Sequence, residues 1–299
     1  MTERLRHRGW WVAGGIAAAA LVVSLALSGS ARSSAAGAHA AAAEGEARQG
    51  SLTLALAPAV SGVAVIQARV AGRPLVVVDA GHGGHDPGAT SVSGSLREKQ
   101  VTLALAEAVR DRLARNGRVR IALTRSADDT LTLDERASIA RRLGAGLFLS
   151  IHADSAPNPL ARGATVYSLS DVASDADAAR FAAHQNAGEP VSTEADGSVR
   201  ALLAGLAVHD EMEDSADFAS RLVRRAAASS VALRPDPHRF ASFRVLRSAR
   251  APAVLFEAGY LSNVDDEKML ASPEGRERIA AALAETIEAE LARQSVASR

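Results

Sequence analysis

The stretch LVVVDAGHGGHDPG, residues 75–88, joins an apolar run to a glycine-rich loop. A continuous run of apolar, mostly β-branched residues is typical of a strand that is buried on both faces of a parallel sheet. In the loop that follows, His82 is flanked by glycines, which let other groups approach the backbone closely. The stretch therefore predicts a central strand with a histidine just beyond its carboxyl end.

Strand and helix patterns alternate in the sequence on either side of this stretch. Helix signals include Gly117 just past the segment 98–116, a capping box from Thr132 to Glu135, and Ser272-Pro273 at the last helix. The predicted strands are 75–78, 119–124, 146–152, 164–169, 243–246 and 253–257, and the predicted helices are 98–116, one from 132, 214–229 and one from 272. Such alternation predicts an α/β fold with a mostly parallel sheet.

Composition limits the classes of function. The 299 residues include 34 basic and 34 acidic side chains and no cysteine. A net charge of zero argues against a nucleic-acid-binding protein, which normally has an excess of basic residues. Without cysteine there is no thiolate nucleophile or thiolate metal site, so any metal ion must bind histidine and carboxylate side chains.

The first 31 residues have the pattern of an export segment. Three arginines precede an apolar run at 10–27, and small residues follow it. We expect either a cleaved signal peptide or an anchor in the inner membrane, and an exported, periplasmic remainder in both cases. Membrane contact is expected only through this segment. Residues 32–72 are predicted to be a linker with an uncertain strand, and 73–295 a single catalytic domain.

Polar side chains stand at the carboxyl ends of three predicted strands, where open α/β sheets form their sites. They are His82, His152 and Glu257, and Glu98 begins the helix after the glycine-rich loop. Each alone has a structural explanation, such as a hydrogen-bonded histidine, a salt bridge or a solvated first-turn glutamate. Together, two histidines and a glutamate are a common donor set for catalytic Zn²⁺, and Glu257 adds the carboxylate that hydrolysis requires.

The chain resembles the zinc-dependent N-acetylmuramoyl-L-alanine amidases, which cut peptidoglycan between muramic acid and L-alanine. The resemblance lies in five blocks in the same order, namely 76–89, 97–103, 123–125, 147–154 and 252–263. It implies a twisted, mostly parallel sheet of about six strands flanked by helices. It also implies that His82, Glu98 and His152 bind zinc and that Glu257 is the catalytic carboxylate. His85 is not counted as a ligand, although its imidazole could touch the substrate.

An acidic, alanine-rich segment at 171–213 interrupts the alternation of strands and helices. It resembles the regulatory insertion of division-associated members of the family, which occludes the site until an activator protein displaces it. Glu189 or Glu194 would then reach the open zinc position, whereas a plain surface loop is the alternative. No role is assigned to the other histidines, including His184.

Two alternatives to the amidase remain at this point. A zinc peptidase or carboxypeptidase acting on wall peptides needs the same metal ligands. It would also need an arginine to bind the terminal carboxylate of its substrate. A catalytically inactive wall-binding domain is the second alternative, although such domains tend to lose ligands.

Overall fold

A seven-stranded sheet forms the centre of the chain in the computed structural model, which describes residues 62–187 and 199–297. The strands are β1 (Val65–Ile66), β2 (Leu75–Ala80), β3 (Arg120–Leu123), β4 (Leu147–His152), β5 (Ala164–Leu169), β6 (Leu233–Ala241) and β7 (Ala253–Glu257). The helices are α1 (Glu98–Asn116), α2 (Leu133–Leu143), α3 (Ala176–Gln185), α4 (Val199–Ala228), α5 (Arg244–Arg247), α6 (Val264–Ala271) and α7 (Pro273–Ala297).

The strand order is β1-β3-β2-β4-β7-β5-β6, and most neighbouring pairs are parallel. The exceptions are β1, which is antiparallel to β3, and β5, which is antiparallel to β7. The predicted α/β class with a mostly parallel sheet is confirmed, with seven strands among the described residues where about six were expected. The carboxyl ends of β2, β4 and β7 meet at one edge.

Two hydrophobic cores cover the two faces of the sheet. Val76 and Val78 of β2 belong to the core that α1, α4 and α7 complete. Leu75 and Val77 point to the opposite core, to which α2, α3 and α5 contribute. Successive residues of a strand face opposite sides, so an unbroken apolar run satisfies both cores. This is why residues 75–78 predicted the central strand correctly.

The predicted strand at 243–246 is wrong. Phe243 precedes the short helix α5, and its buried ring packs edge-on against Tyr167 at 5.3 Å between ring centroids. The sheet instead ends with β6, which contains Pro235 and Pro237. Proline cannot donate a ladder hydrogen bond and is confined to edge strands, so these residues concealed the strand. A short apolar run such as 243–246 fits a buried helix as well as a strand.

The segment 171–213 contains more helix than its aperiodic sequence suggested. Helix α3 lies inside it, capped by the Asp175 side chain, which accepts a hydrogen bond from the backbone N–H of Ala178 at 2.8 Å. Helix α4 begins at Val199, before the predicted start at 214.

The predicted export segment, with its apolar run at 10–27, lies outside the described residues. Within 62–187 and 199–297, no helix is both long enough and apolar enough to cross a bilayer.

Candidate metal centre

Three side chains converge at the carboxyl edge of the sheet. His82 follows β2, Glu98 begins α1 and His152 ends β4, and one potential ligand atom from each lies within 4.8 Å of the others. Nε2 of His82 is 3.1 Å from Oε2 of Glu98, and Nδ1 of His152 is 3.1 Å from Oε1 of the same carboxylate. The fold therefore brings together the three residues that the sequence predicted as a cluster.

The backbone of His82 is held in an unusual conformation. Its φ of +59° lies in the left-handed region, which non-glycine residues rarely adopt. The guanidinium of Arg136, on α2, donates to the carbonyls of Ala80 at 2.6 Å and His82 at 2.7 Å. Arg136 is itself buried against Asp79, with 2.8 Å between Nη1 and Oδ1. The buried pair thus holds the loop that carries His82.

The ring of His82 is oriented by Asp86, four residues further along. Nδ1 of His82 lies 2.7 Å from Oδ2 of Asp86, which leaves Nε2 directed at Glu98. Histidines that bind metals usually hydrogen-bond a carboxylate or carbonyl through the other ring nitrogen, which fixes the tautomer and the ring orientation. Sequence reasoning did not single out Asp86 as a candidate site residue, although its place in the HGGHD motif was a signal.

Two glycines make room for the cluster. A Cβ on Gly81 would lie 2.4 Å from Cε1 of His152. A Cβ on Gly88 would lie 2.6 Å from Oε2 of Glu98 and 2.8 Å from Cδ2 of His82. Real Cβ atoms do not approach other atoms so closely. The arrangement of the three side chains therefore requires glycine at positions 81 and 88.

Glu98 is fully buried, and both of its oxygens accept backbone hydrogen bonds. The N–H of Ala89 donates to Oε2 and that of Ala153 to Oε1, each at 2.9 Å. Burial alone raises the pKa of this carboxyl, but the imidazoles of His82 and His152 outweigh it and hold the pKa well below its usual range. Glu98 is therefore ionised and fixed in place, as an anionic ligand must be.

His82 has the complementary electrostatics. Burial lowers the pKa of its imidazole, but the carboxylates of Glu98 and Asp86 more than offset this and raise it to about 10. Its buried Nε2 lies 3.1 Å from Oε2 of Glu98 but outside hydrogen-bond geometry. A buried ring nitrogen held close to a carboxylate in a pocket that attracts cations fits a bound divalent metal.

Glu257 stands beside the cluster at the end of β7. It is the register partner of His152 across the parallel β4–β7 pair and is fully buried. Its Oε2 accepts the N–H of Asp154 at 3.0 Å, whereas its buried Oε1 has no partner among the described residues. Burial, together with the charges of Glu98 and Asp154, raises the pKa of Glu257 well above its usual range. A raised pKa of this kind suits a carboxyl that takes up and delivers a proton during a reaction.

A cavity of about 470 Å³ opens onto the cluster and exposes His82 and His152 to its interior. His184 of α3 also lines it, and Nδ1 of His184 is 3.7 Å from Oδ2 of Asp154. Sequence reasoning gave His184 no role because it follows no strand end. His85 lines the cavity too, with Nδ1 2.9 Å from the hydroxyl of Thr130. Glu189 and Glu194 lie outside the described residues.

Comparison with known proteins identifies the family. The family model described as N-acetylmuramoyl-L-alanine amidase matches residues 76–289. The chain belongs to this amidase family. It is 37% identical over 221 residues to N-acetylmuramoyl-L-alanine amidase AmiA of Escherichia coli K12, an alignment that covers 72% of this chain and 75% of AmiA.

Solved amidase structures share the fold. The catalytic domain of CwlV, an amidase from Bacillus (Paenibacillus) polymyxa var. colistinus, superposes with a TM-score of 0.54 at 29% identity, covering 73% of this chain and 98% of that domain. Amidase AmiC2 of Nostoc punctiforme gives 0.52 at 30% identity, covering 72% and 96%. The amidase fold therefore accounts for the sheet at whose carboxyl edge the four predicted site residues lie.

Proposed function

We propose that this member of the amidase family hydrolyses the amide bond between N-acetylmuramic acid and L-alanine in peptidoglycan, with a zinc ion as cofactor. The observation that carries the proposal is the cluster of His82, Glu98 and His152 at the sheet edge, with Glu257 in register beside it. Family membership supplies the substrate class, and the cluster supplies the chemistry.

His82, Glu98 and His152 would hold the metal. Two imidazoles and one carboxylate suit zinc and leave a fourth position for water or substrate. Zinc in such a site supplies a Lewis acid and brings the pKa of a water molecule close to neutrality. Asp86 orients one ligand, and backbone amides fix Glu98, so the donors are in place before the metal binds.

Glu257 is the proposed acid–base group. Its unpaired Oε1 takes a proton from the attacking water as the lactyl carbonyl is attacked, and then delivers it to the departing nitrogen of L-alanine. The raised pKa of its carboxyl favours the second of these transfers, because a protonated acid must be present when the amine leaves. The backbone N–H of Asp154 donates to the other oxygen, Oε2, and so fixes the orientation of the carboxyl group.

The proposed setting is the exported, periplasmic side of the inner membrane, in cell-wall remodelling and daughter-cell separation. The charge and hydropathy pattern of residues 1–31 supports an export signal or anchor, followed by a linker to residue 72 and the catalytic domain at 73–295. The substrate partner is peptidoglycan.

Regulation by the segment 171–213 is part of the proposal. Its helix α3 lies against the site through His184, so movement of this segment would change access to the cavity. Glu189 and Glu194 are the proposed occluding carboxylates, and an activator protein is the proposed partner that relieves this occlusion.

Zinc content and product analysis together test the proposed activity. We expect about one zinc ion per chain, and mass spectrometry of digested peptidoglycan that shows intact stem peptides with a free L-alanine amino group. Release of shorter peptides with the amide to muramic acid intact would indicate a peptidase instead. Absence of both zinc and cleavage would indicate an inactive wall-binding domain.

A further inference from the structure

A second cavity, also of about 470 Å³, begins beside the metal cluster and continues beneath α3. Asp154, whose backbone N–H donates to the carboxylate of Glu257, is one of its lining residues. Its walls include the rings of Tyr167, Phe181 and Tyr260, and Arg234 lines the same cavity. The cavity therefore pairs aromatic surface with a cation next to the reacting groups.

Strand order places Arg234 of β6 two strands away from Glu257 of β7. Thr165 of β5 is paired with Glu257, and Ala164 of β5 is paired with Leu233, the residue before Arg234. Arg234 begins the irregular part of the β5–β6 pairing, which resumes at Val166 and His238, so its backbone lies two strand spacings or more, at least about 10 Å, from that of Glu257. Because the side chain of Arg234 is long, the distance that a ligand must span between Glu257 and the guanidinium can be shorter than the distance between the two backbones.

The guanidinium of Arg234 is fixed by two neighbours but does not use all of its N–H donors. Its side chain is only 17% exposed, its guanidinium carbon lies 5.4 Å from the centroid of the Tyr260 ring, and Nη1 donates to the Tyr260 hydroxyl at 3.0 Å. Nη2 donates to Asp177 at 3.2 Å, and this carboxylate is shared with Arg180. A guanidinium has five N–H donors, so two arginines that share one carboxylate retain capacity for an anionic ligand.

The first cavity has a different character. Its lining near the cluster carries uncharged hydrogen-bonding groups such as Thr130, Thr132 and Asn186. Its one arginine, Arg136, is already paired with the buried Asp79. Sugar hydroxyl and acetamido groups suit such a surface, whereas a carboxylate suits the arginine-containing second cavity.

We propose, on the basis of the proposed amidase function, that the second cavity binds the stem peptide and that Arg234 receives the free α-carboxylate of the residue after L-alanine. That residue is a D-glutamate linked onward through its side chain, so its α-carboxyl group remains available. A peptide residue spans at most about 3.6 Å. Two residues from the scissile nitrogen therefore cover about 7 Å, which places this carboxylate within reach of the Arg234 side chain.

Binding of two dipeptides tests this assignment without depending on turnover. L-alanyl-D-glutamine has the free α-carboxylate, and its α-amide lacks the charge but keeps the size. Calorimetry on the protein purified with its metal should show about tenfold or tighter binding of the carboxylate, as a charge-assisted arginine contact provides. R234Q should bring the affinity ratio close to one.

Two further variants separate recognition from folding. R162Q removes an arginine whose exposed ion pair with Asp265, at 2.9 Å, lies outside the cavity lining, and it should keep the wild-type ratio. D177N removes the carboxylate that competes for Arg234, so it should tighten binding of L-alanyl-D-glutamine several-fold and leave the amide unaffected. A merely structural Arg234 would not produce that gain.

Equal affinity of the wild type for the two dipeptides, or a ratio that R234Q retains, would overturn the assignment. Cleavage is measured separately on two substrates, in which muramic acid is joined to L-alanyl-D-glutamine or to its α-amide. If the wild type cleaves neither of them, the proposed function fails, and the dipeptide affinities still decide the role of the cavity. If it cleaves both at equal kcat/KM and binds both dipeptides equally, only the assignment of Arg234 fails.

Discussion

His152 and Glu257 are register partners on the parallel strands β4 and β7, and hydrogen bonds join the segments that carry them. The N–H of Ala258 donates to the carbonyl of His152 at 2.9 Å, and the N–H of Asp154 donates to the carboxylate of Glu257 at 3.0 Å. A proposed metal ligand and the proposed proton carrier are thus fixed by adjacent strands of one rigid sheet. This arrangement needs no loop movement to place them together.

Replacement of Glu257 by glutamine should abolish most turnover and leave metal binding intact. The amide keeps the size of the side chain but cannot take up a proton, and such groups contribute about 10²- to 10⁴-fold to rates. Zinc content and muropeptide cleavage are measured on the same preparation. E274Q, which changes an exposed glutamate of α7, is the control. Near-wild-type cleavage by E257Q would show that another group carries the proton.

The same substitution should stabilise the metal-free protein at neutral pH. Burial, with the charges of Glu98 and Asp154, raises the folded-state pKa of Glu257, so the folded state binds more protons than the unfolded state above pH 4.5. Wild-type stability therefore falls as pH rises through this window, and E257Q does not share that loss. We therefore expect E257Q to be more stable than the wild type at pH 7.

Urea unfolding at pH 4.5 and pH 7 with a chelator present measures this difference. The advantage of E257Q should shrink towards pH 4.5, where the folded wild type keeps Glu257 protonated and the unfolded chain is about half protonated at this residue. An advantage of the same size at both pH values would mean that ionisation of Glu257 is not its source.

Substitution of Gly88 by alanine should weaken metal binding at least tenfold. The new Cβ would meet Glu98 and His82 at under 3 Å, so the ligands must separate. Gly94 is the matched control, because its φ of +75° is also left-handed but nothing lies within 4 Å of its Cβ position. The G94A substitution introduces backbone strain but no steric clash, so zinc titration of this variant should show the wild-type affinity. Equal losses in the two variants would assign the effect to backbone strain.

The buried pair of Asp79 and Arg136 should show strong energetic coupling. R136M leaves the Asp79 carboxylate without its counter-ion, which typically costs about 3–5 kcal/mol for a buried pair. The double variant with D79N should lose much less than the sum of the single losses. The exposed pair of Arg162 and Asp265 is the reference, with an expected coupling of about 0–1 kcal/mol. Coupling no greater than that reference would mean that the pair does not stabilise the loop of His82.

Replacement of Glu189 and Glu194 by glutamine should raise basal peptidoglycan hydrolysis in the absence of any activator. The amides bind zinc more weakly than carboxylates do, so the proposed occlusion would be relieved. E213Q, an exposed substitution in α4 of the same segment, is the control and should leave the basal rate unchanged. An unchanged rate in the double variant would leave 171–213 as a surface segment.

The sequence by itself determined most of the regular structure. Apolar runs such as 75–78, the capping box of Thr132 and the glycine after α1 are local signals, and each element formed where its signal lies. The exceptions include β6, where prolines concealed an edge strand, and α5, which formed where a strand was predicted. Helix α6 was not predicted, and α3 and the first part of α4 lie in an alanine-rich sequence with weak periodicity. Local signals succeed because periodicity and capping depend on neighbours within a few residues.

Tertiary structure decided how the side chains meet. His152 and Glu98 are 54 positions apart in sequence, and only the strand order β2-β4-β7 brings them to one point. Family resemblance predicted the His82, Glu98 and His152 cluster, but not the orienting role of Asp86, the support from Arg136 or the position of Arg234. Their contacts depend on register and packing between distant segments, and a linear pattern contains no information on which of its many carboxylates and arginines will become neighbours.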